Sequence, residues 1–292
     1  MKHTFQPGHD PKNTNFVLDL RDSTNHPTSL LYSELYKSCL VNALPNHGRS
    51  QPGFSLDGKS PFVLSAKKAI INGLDDKENS VKIIRSVFDK YYEYIQANNA
   101  SEWLGLKKNK LLNQQPPWGA VFPWRARSIE SYRLSFEKAA IEENIAIGYQ
   151  DRGIEYGWLF NGPVSDIKIQ IESERMAYVL YQIYENGYQR SFENDGDARA
   201  TALVNEVGEW RWILTAGNHR ASAATALGFT EIPIRINLII KRSDYQLWPQ
   251  VVDGVYSKEE ALYIFDSLFH AHPPSFTTKW EKYAERYLNL NI

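Results

Sequence analysis

Cysteine is almost missing from this sequence, since Cys39 is the one cysteine among 292 residues. A single cysteine excludes an intramolecular disulfide framework and any metal site built from several cysteines. No apolar run reaches 18 residues, so no membrane-spanning helix is predicted. The opening residues, MKHTFQPGHD, lack the apolar core of a secretory signal. These absences together predict a cytoplasmic protein.

An excess of charge of one sign is also missing. Lys and Arg number 33 against 34 Asp and Glu, which gives a formal net charge of −1. Strong non-specific binding of nucleic acid needs a basic surplus or a basic stripe, and neither is visible. The balance therefore argues against nucleic acid as a partner. A Walker P-loop, a Rossmann fingerprint and a G-x-S-x-G elbow are absent too.

The N-terminal region, residues 1–160, is predicted to be mostly helical, and the sequence indicates no role for it. Residues 80–98 form the clearest amphipathic pattern, with apolar residues at helical spacing. Helices are expected at residues 29–39, 61–73, 80–98, 101–106 and 128–147, a strand at 16–20 and a loop at 44–59. The stretch rich in Pro and Trp at residues 116–125 resembles uncharacterised proteins associated with surface-polysaccharide gene clusters.

The composition becomes rich in glycine and aromatic residues over 148–163, and we predict a domain boundary near Asn161-Gly162-Pro163. A second domain is expected over residues 161–245, followed by a helical extension over 246–292. The predicted elements are strands at 164–171, 210–214 and 232–236 and helices at 173–186, 198–204, 218–227, 257–269 and 277–288. This alternation predicts an α/β (α+β) fold, in which a small mixed sheet follows the mostly helical N-terminal region.

The most informative stretch is LTAGNHRASAATALGFTEIPIRI, residues 214–236. A strand ends at Gly217, and Asn218-His219-Arg220 then opens a helix of small residues that ends at Gly228. The first backbone N–H groups of a helix lack intrahelical partners, and the helix dipole is positive there. The stretch therefore predicts a cradle for phosphate or another anion.

Six residues at this turn are the candidate phosphate ligands: Gly217, Asn218, His219, Arg220, Ala221 and Ser222. The Arg220 fork suits bidentate contact with phosphate oxygens. Five of these residues also have a structural interpretation. Gly217 could serve the turn alone, Asn218 could be the N-cap, and Ser222 could serve close helix packing. His219 could be a structural histidine, and Arg220 could form an ion pair with a nearby carboxylate.

The order G-N-H-R (217–220), Ala223-Ala224, Leu227-Gly228 and Ile232-Pro233-Ile234 resembles the ParB/sulfiredoxin-like superfamily. The upstream run IYENGYQR (183–190) is similar to the box that precedes this element in the family. The resemblance covers about residues 163–242 and implies a ParB/sulfiredoxin-like fold there. It also implies that Gln189 and Arg190 line a nucleotide pocket.

Members of this superfamily carry out several chemistries, and this sequence departs from some of them. Asn218 stands where sulfiredoxins carry their catalytic cysteine, which argues against reduction of sulfinic acids. No helix-turn-helix follows Arg242, as chromosome-partition members would need. The resemblance then implies a phosphotransferase similar to small-molecule kinases, or an NTPase, that uses Mg²⁺ with ATP, ADP or CTP. Its second substrate would be a small hydroxyl-bearing compound, such as a sugar or an amino acid.

Phosphoryl transfer needs a carboxylate that orients or deprotonates the attacking hydroxyl. Five carboxylates are candidates: Glu172, Glu174, Glu193, Asp195 and Asp197. Glu172 and Glu174 are favoured because the predicted strand 164–171 would end beside them. The catalytic candidates are therefore Glu172, Glu174 and His219. No metal site made of protein side chains is predicted.

Two other functions stay open at this stage. The chain could be a non-catalytic module in which a bound nucleotide gates an interaction. It could also be a DNA-binding or nuclease protein related to ParB. Consumption of nucleotide would separate an enzyme from a binding module, and the sequence leaves the oligomeric state open.

Overall fold

The structure is a computed structural model that describes residues 17–146, 153–189 and 197–288. The strands of the described residues are β1 (Leu18–Asp19), β2 (Cys39–Ala43), β3 (Gly48–Ser50), β4 (Phe54–Ser55), β5 (Ala198–Val204), β6 (Trp210–Ala216) and β7 (Ile232–Lys241). The helices are α1 (Pro61–Ile71), α2 (Lys77–Tyr94), α3 (Ala100–Trp103), α4 (Ile129–Ala146), α5 (Asp166–Asn186), α6 (Asn218–Ala226), α7 (Pro249–Val252), α8 (Lys258–Phe269) and α9 (Thr278–Tyr287).

All seven strands belong to one mixed sheet in the order β1-β2-β7-β5-β6-β3-β4. The pairs β1–β2, β5–β7 and β3–β6 are parallel, and the other neighbours are antiparallel. This mixed sheet with its helices confirms the α/β (α+β) fold class. Strands from both sides of residue 160 share the sheet, and the division of the chain into domains stays a prediction.

One hydrophobic core joins the helices to the sheet. Helices α1, α2, α5 and α6 pack against one another, and α6 also contacts β5 and β7. Val41, Ala200 and Ile234, from three neighbouring strands, are fully buried. The core therefore lies between the sheet and the helices that position the α6 N-terminus.

Several predicted elements are confirmed. The helices expected at 61–73, 80–98 and 218–227 correspond to α1, α2 and α6, and the strand at 232–236 lies within the longer β7. Helix α8 begins with the capping box expected from its sequence, in which Ser257 and Glu260 bond each other's backbone N–H. Gly187 ends α5 with φ +72°, as its position indicated.

The helix predicted at 198–204 is wrong, because these residues form strand β5. Alanine favours helices in isolation, but tertiary context overrides that preference. Strand β5 lies between β7 and β6, and Ala198, Ala200 and Ala202 are fully buried. Small side chains at the centre of the sheet leave room for α6 to approach.

The strand predicted at 164–171 is also wrong, and so is the helix start at Ser173 or Glu174. Ser165 caps a single helix, α5, by accepting a hydrogen bond from the N–H of Lys168. The alternating isoleucines are not a strand face, since Ile167 is 42% exposed. Ile169, Met176, Leu180 and Ile183 are buried instead, at helical spacing.

The helix predicted at 29–39 is wrong as well. A 3-10 turn covers Pro27–Tyr32, and Cys39 already belongs to β2. The predicted loop at 44–59 contains the short strands β3 and β4, which depend on pairing with β6 and with each other. The strand expected at 16–20 is reduced to β1, and Phe16 lies outside the described residues.

Arg49 of β3 ties the sheet to the end of α8. Its guanidinium is buried and donates hydrogen bonds to the backbone oxygens of Leu268 and Phe269, both at 2.8 Å. It also donates to the backbone oxygens of Asn46 and Gly48. Burial is the larger cause and repulsion from Arg211 the smaller one, and together they lower the pKa of Arg49 to about 10. Arg49 thus satisfies the Phe269 carbonyl at the helix end and adds a second donor to the Leu268 carbonyl, which also accepts from the N–H of Ala271.

Candidate functional site

The turn between β6 and α6 depends on glycine at position 217. Gly217 has φ +76°, in the left-handed region. A Cβ atom built on it would lie 2.8 Å from the Cα and 3.1 Å from the Cβ of Ala198. Conformation and close approach thus both require glycine here, and the expected glycine turn is confirmed.

Helix α6 begins inside the protein and not at its surface. Ala221, Ser222, Ala223 and Ala224 are fully buried, because α6 packs against α1, α5 and the sheet. Their small side chains permit this close packing. The positive end of the α6 dipole is therefore partly shielded from solvent, and this shielding strengthens its electric field.

The α6 N-terminus has no side-chain cap. Gly217 occupies the N-cap position, so the alternative that Asn218 is the N-cap is wrong. Asn218 is the first helical residue, and its side chain makes no capping hydrogen bond to the described residues. Among the described residues, the first N–H groups of α6 therefore have no side-chain acceptor, and an anion can satisfy such groups.

Buried polar groups without partners collect on the first turns of α6. Both amide atoms of Asn218, Nη1 of Arg220 and Oγ of Ser222 are buried and make no hydrogen bond to the described residues. Asn218 is 8% exposed and Ser222 is fully buried. Leaving such a group unpaired costs about 1–3 kcal/mol, so their concentration on one helix start suits the binding of a polar ligand.

The structure brings Glu172 of α5 to His219 of α6. Glu172 is fully buried, and its Oε2 lies 2.9 Å from Nε2 of His219. Its Oε1 lies 2.8 Å from Nζ of Lys168 and 3.7 Å from Nη1 of Arg175. The His219 contact has the length of a hydrogen bond but not its alignment, so its attraction is electrostatic.

The charges around Glu172 keep it ionised. Burial alone raises the pKa of this carboxyl, but His219, Lys168 and Arg175 outweigh burial and hold the pKa well below its usual range. One negative charge then faces the cations of Lys168 and Arg175. The surplus is positive, which favours an anion at the start of α6.

Other predicted site residues lie elsewhere. Glu174 is exposed and accepts a hydrogen bond from Gln170, away from His219. Gln189 is exposed too, and its Nε2 donates to the backbone oxygen of Asn186. Asp197 is half-buried just before β5. Arg190, Glu193 and Asp195 lie outside the described residues.

Lys168 and Arg175 were missed in the sequence. Lys168 is spaced i, i+4 from Glu172 and Arg175 is spaced i, i+3, which brings both side chains to that carboxylate on a helix. The incorrect strand at 164–171 hid this relation, because a strand sends residues four apart well away from each other. A helical reading of α5 would have revealed the pair.

The described residues do not fit a Mg²⁺ site. They contain no group of three or more His, Cys, Asp or Glu residues that could hold a metal ion. The buried carboxylate of Glu172 already contacts Lys168 through one oxygen and His219 through the other. A further cation there would be repelled, so we derive no step through a protein-bound metal.

A cleft of about 380 Å³, its open mouth included, is lined by residues outside α6. Its lining is mainly apolar and includes Trp103, Phe122 and Tyr263. Neither the first residues of α6 nor Lys168, Glu172 and Arg175 of α5 line it. It therefore adds nothing to the anion site.

Among residues 17–146, 153–189 and 197–288, no helix is long and apolar enough to cross a membrane. Comparison with known proteins found no match among family models, curated proteins or solved structures.

Proposed function

We propose that this chain binds the phosphates of a nucleotide at the N-terminus of α6 and transfers a phosphoryl group to a small hydroxyl-bearing compound. The observation that carries the proposal is the set of buried, unpartnered polar groups on an uncapped helix start, namely those of Asn218, Arg220 and Ser222. The resemblance of residues 163–242 to the ParB/sulfiredoxin-like superfamily suggests ATP, ADP or CTP as the nucleotide.

Each group has a chemical task in this proposal. The Arg220 guanidinium would contact phosphate oxygens, and the Asn218 amide and Ser222 hydroxyl would donate further hydrogen bonds. The backbone at Gly217 would admit a phosphate closely because residue 217 has no side chain. Arg220 and His219 would stabilise charge that develops on the transferred group.

The reaction would exchange one phosphorus–oxygen bond for another. The acceptor's oxygen bonds to the terminal phosphorus as the bond to the bridging oxygen breaks, and a nucleoside diphosphate leaves. The hydroxyl proton passes to a base in the site. With water as the acceptor, the same step is nucleotide hydrolysis.

A second candidate function is nucleotide binding without catalysis. Glu172 favours it, because this carboxylate is held by Lys168 and His219 and its lowered pKa makes it a weak base. Bound nucleotide would then alter an interaction of the chain. DNA binding is less favoured than either proposal, because the sequence carries no excess of positive charge.

A thermal-shift panel tests the proposal. ATP, ADP, CTP, GTP and UTP, each with and without Mg²⁺, are added to the wild type, to Arg220→Ala and to Arg127→Ala. Arg127 is exposed and serves as a matched control. A ligand that binds only the folded state raises the melting temperature. We expect at least one nucleotide to stabilise the wild type and Arg127→Ala but not Arg220→Ala.

Phosphorus NMR then separates the two candidates. Loss of the terminal phosphate in the presence of sugars, amino acids or water supports transfer or hydrolysis. Binding without any change in the nucleotide supports the non-catalytic module. If no nucleotide stabilises the folded wild type, both proposals are wrong.

A further inference from the structure

The geometry points to Glu172 as a positioning residue, which orients His219 with its Nε2 protonated and turns its Nδ1 toward the ligand. Glu172 then serves His219, and His219 is the group that exchanges a proton with the ligand. The part of this inference that concerns the ligand rests on the proposed function, whereas the state of the ring is a property of the protein alone.

The position of the Nε2 proton follows from the chemistry of the pair. The ionised carboxylate of Glu172 can only accept hydrogen bonds. An unprotonated Nε2 at 2.9 Å from Oε2 would bring the partial negative charge of the ring nitrogen close to the carboxylate charge in a buried site. A proton on Nε2 turns this repulsion into attraction. The ring therefore keeps Nε2 protonated whether it is neutral or charged.

The ring of His219 is fixed from a second side by Phe62 of α1. The two rings meet edge to face, with centroids 5.3 Å apart and planes at 88°. Helix α1 thus supports one side of the imidazole while Glu172 of α5 holds the nitrogen at its tip. Such packing limits rotation of the side chain.

Lys168 holds the carboxylate in turn. Its Nζ contacts Oε1 of Glu172 at 2.8 Å, and its side chain is 7% exposed. Lys168 has no other charged partner among the described residues. The chain Lys168–Glu172–His219 therefore joins two turns of α5 to the start of α6, and it gives both buried charges a partner.

The remaining ring nitrogen, Nδ1, is left for a ligand. No residue that the structure describes hydrogen-bonds to it. In the neutral ring, Nδ1 carries a lone pair and accepts the proton of a substrate hydroxyl, whose electron pair stays on the attacking oxygen. The resulting imidazolium is stabilised by Glu172, which is the general logic of a base held by an orienting carboxylate.

Long-range ¹H–¹⁵N NMR on protein with ¹⁵N-labelled histidine tests the inference without any ligand. His219→Asn identifies the signal of His219 among the seven histidines. In the wild type we expect one tautomer, with the proton on Nε2 and that proton protected from exchange. The double variant K168M/E172L removes both buried charges, so neither is left alone. It should show mixed tautomers and a rapidly exchanging proton.

A neutral ring with its proton on Nδ1 and none on Nε2 in the wild type, or the same tautomer mixture in both proteins, overturns the inference. If the double variant does not fold, the wild-type spectrum alone decides. The nucleotide panel reports separately on the proposed function. A single Nε2–H tautomer without nucleotide binding would leave the positioning role and refute the proposed function. Nucleotide turnover by a protein whose neutral His219 ring carries its proton on Nδ1 alone would support the proposed function and refute the positioning role.

Discussion

Gly217 packs directly against Ala198, so that a Cβ at position 217 would lie 2.8 Å from the Cα of Ala198. This contact joins the turn before α6 to the first residue of β5. It places the uncapped helix start beside the central strand of the sheet. The anion site is thus anchored by backbone contact as well as by side chains.

The first prediction concerns Gly217→Ala. A left-handed alanine costs about 1–2 kcal/mol, and the contact with Ala198 adds overpacking of about 1–3 kcal/mol. Gly228→Ala is the matched control, since Gly228 at the other end of α6 has φ +83° and open space around it. Denaturant unfolding should show the larger loss of stability for Gly217→Ala. Equal losses would mean that the contact with Ala198 does not constrain the turn.

The second prediction concerns Arg49→Met. Methionine fills similar space but cannot donate the hydrogen bonds that Arg49 makes to backbone oxygens. We expect the free energy of unfolding to fall by about 3 kcal/mol, because four charge-assisted hydrogen bonds are lost and the Phe269 carbonyl has no other donor among the described residues. Arg21→Ala removes a partly exposed pair with Asp19 and should cost about 1 kcal/mol or less. A similar, small effect of both substitutions in urea titrations would contradict the structural role of Arg49.

The third prediction concerns acid stability. The folded-state pKa of Glu172 lies below its ordinary value near 4.5, so the unfolded state binds the proton more readily. The stability from Glu172 is complete above that ordinary pKa and is lost as the pH falls below it, toward the lower folded-state value. Melting temperatures measured from pH 7 to pH 3 should therefore fall more steeply for the wild type than for K168M/E172L. Parallel curves would show that Glu172 is not held by its neighbours.

The fourth prediction concerns Cys39. Burial in β2 raises the pKa of its thiol to about 12, so almost no thiolate forms at pH 8. Iodoacetamide at that pH should leave the folded protein unmodified and alkylate the protein in denaturant. Mass spectrometry reads the result directly. Rapid alkylation of the native protein would mean that β2 is not buried as described.

Hydrophobic periodicity and glycine positions in the sequence were enough to predict helices α2 and α6. Helix α2 has a continuous amphipathic face, and α6 is bounded by two glycines with positive φ. The candidate turn at 217–222 was accordingly visible in the sequence. The contact of Glu172 with His219 was not, although both residues were candidates, because it depends on how α5 packs against α6.

The errors have two physical origins, which are tertiary context for β5 and a misjudged periodicity for α5. β5 is a strand because its alanines fill the centre of the sheet, where a local preference for helix is overridden. α5 contains isoleucines that alternate over only a few residues, and its true N-cap, Ser165, precedes them. Lys168 was missed for the same reason, since its pairing with Glu172 exists only on a helix.

The most direct test of the anion site is a crystal structure with a thiophosphate analogue, ATPγS, whose sulfur is located by anomalous diffraction. We expect the thiophosphate within about 3 Å of the first N–H groups of α6 and of the Arg220 guanidinium, as hydrogen bonding requires. A nucleotide bound elsewhere, with the start of α6 filled only by water, would contradict the assignment of α6 as the phosphate site.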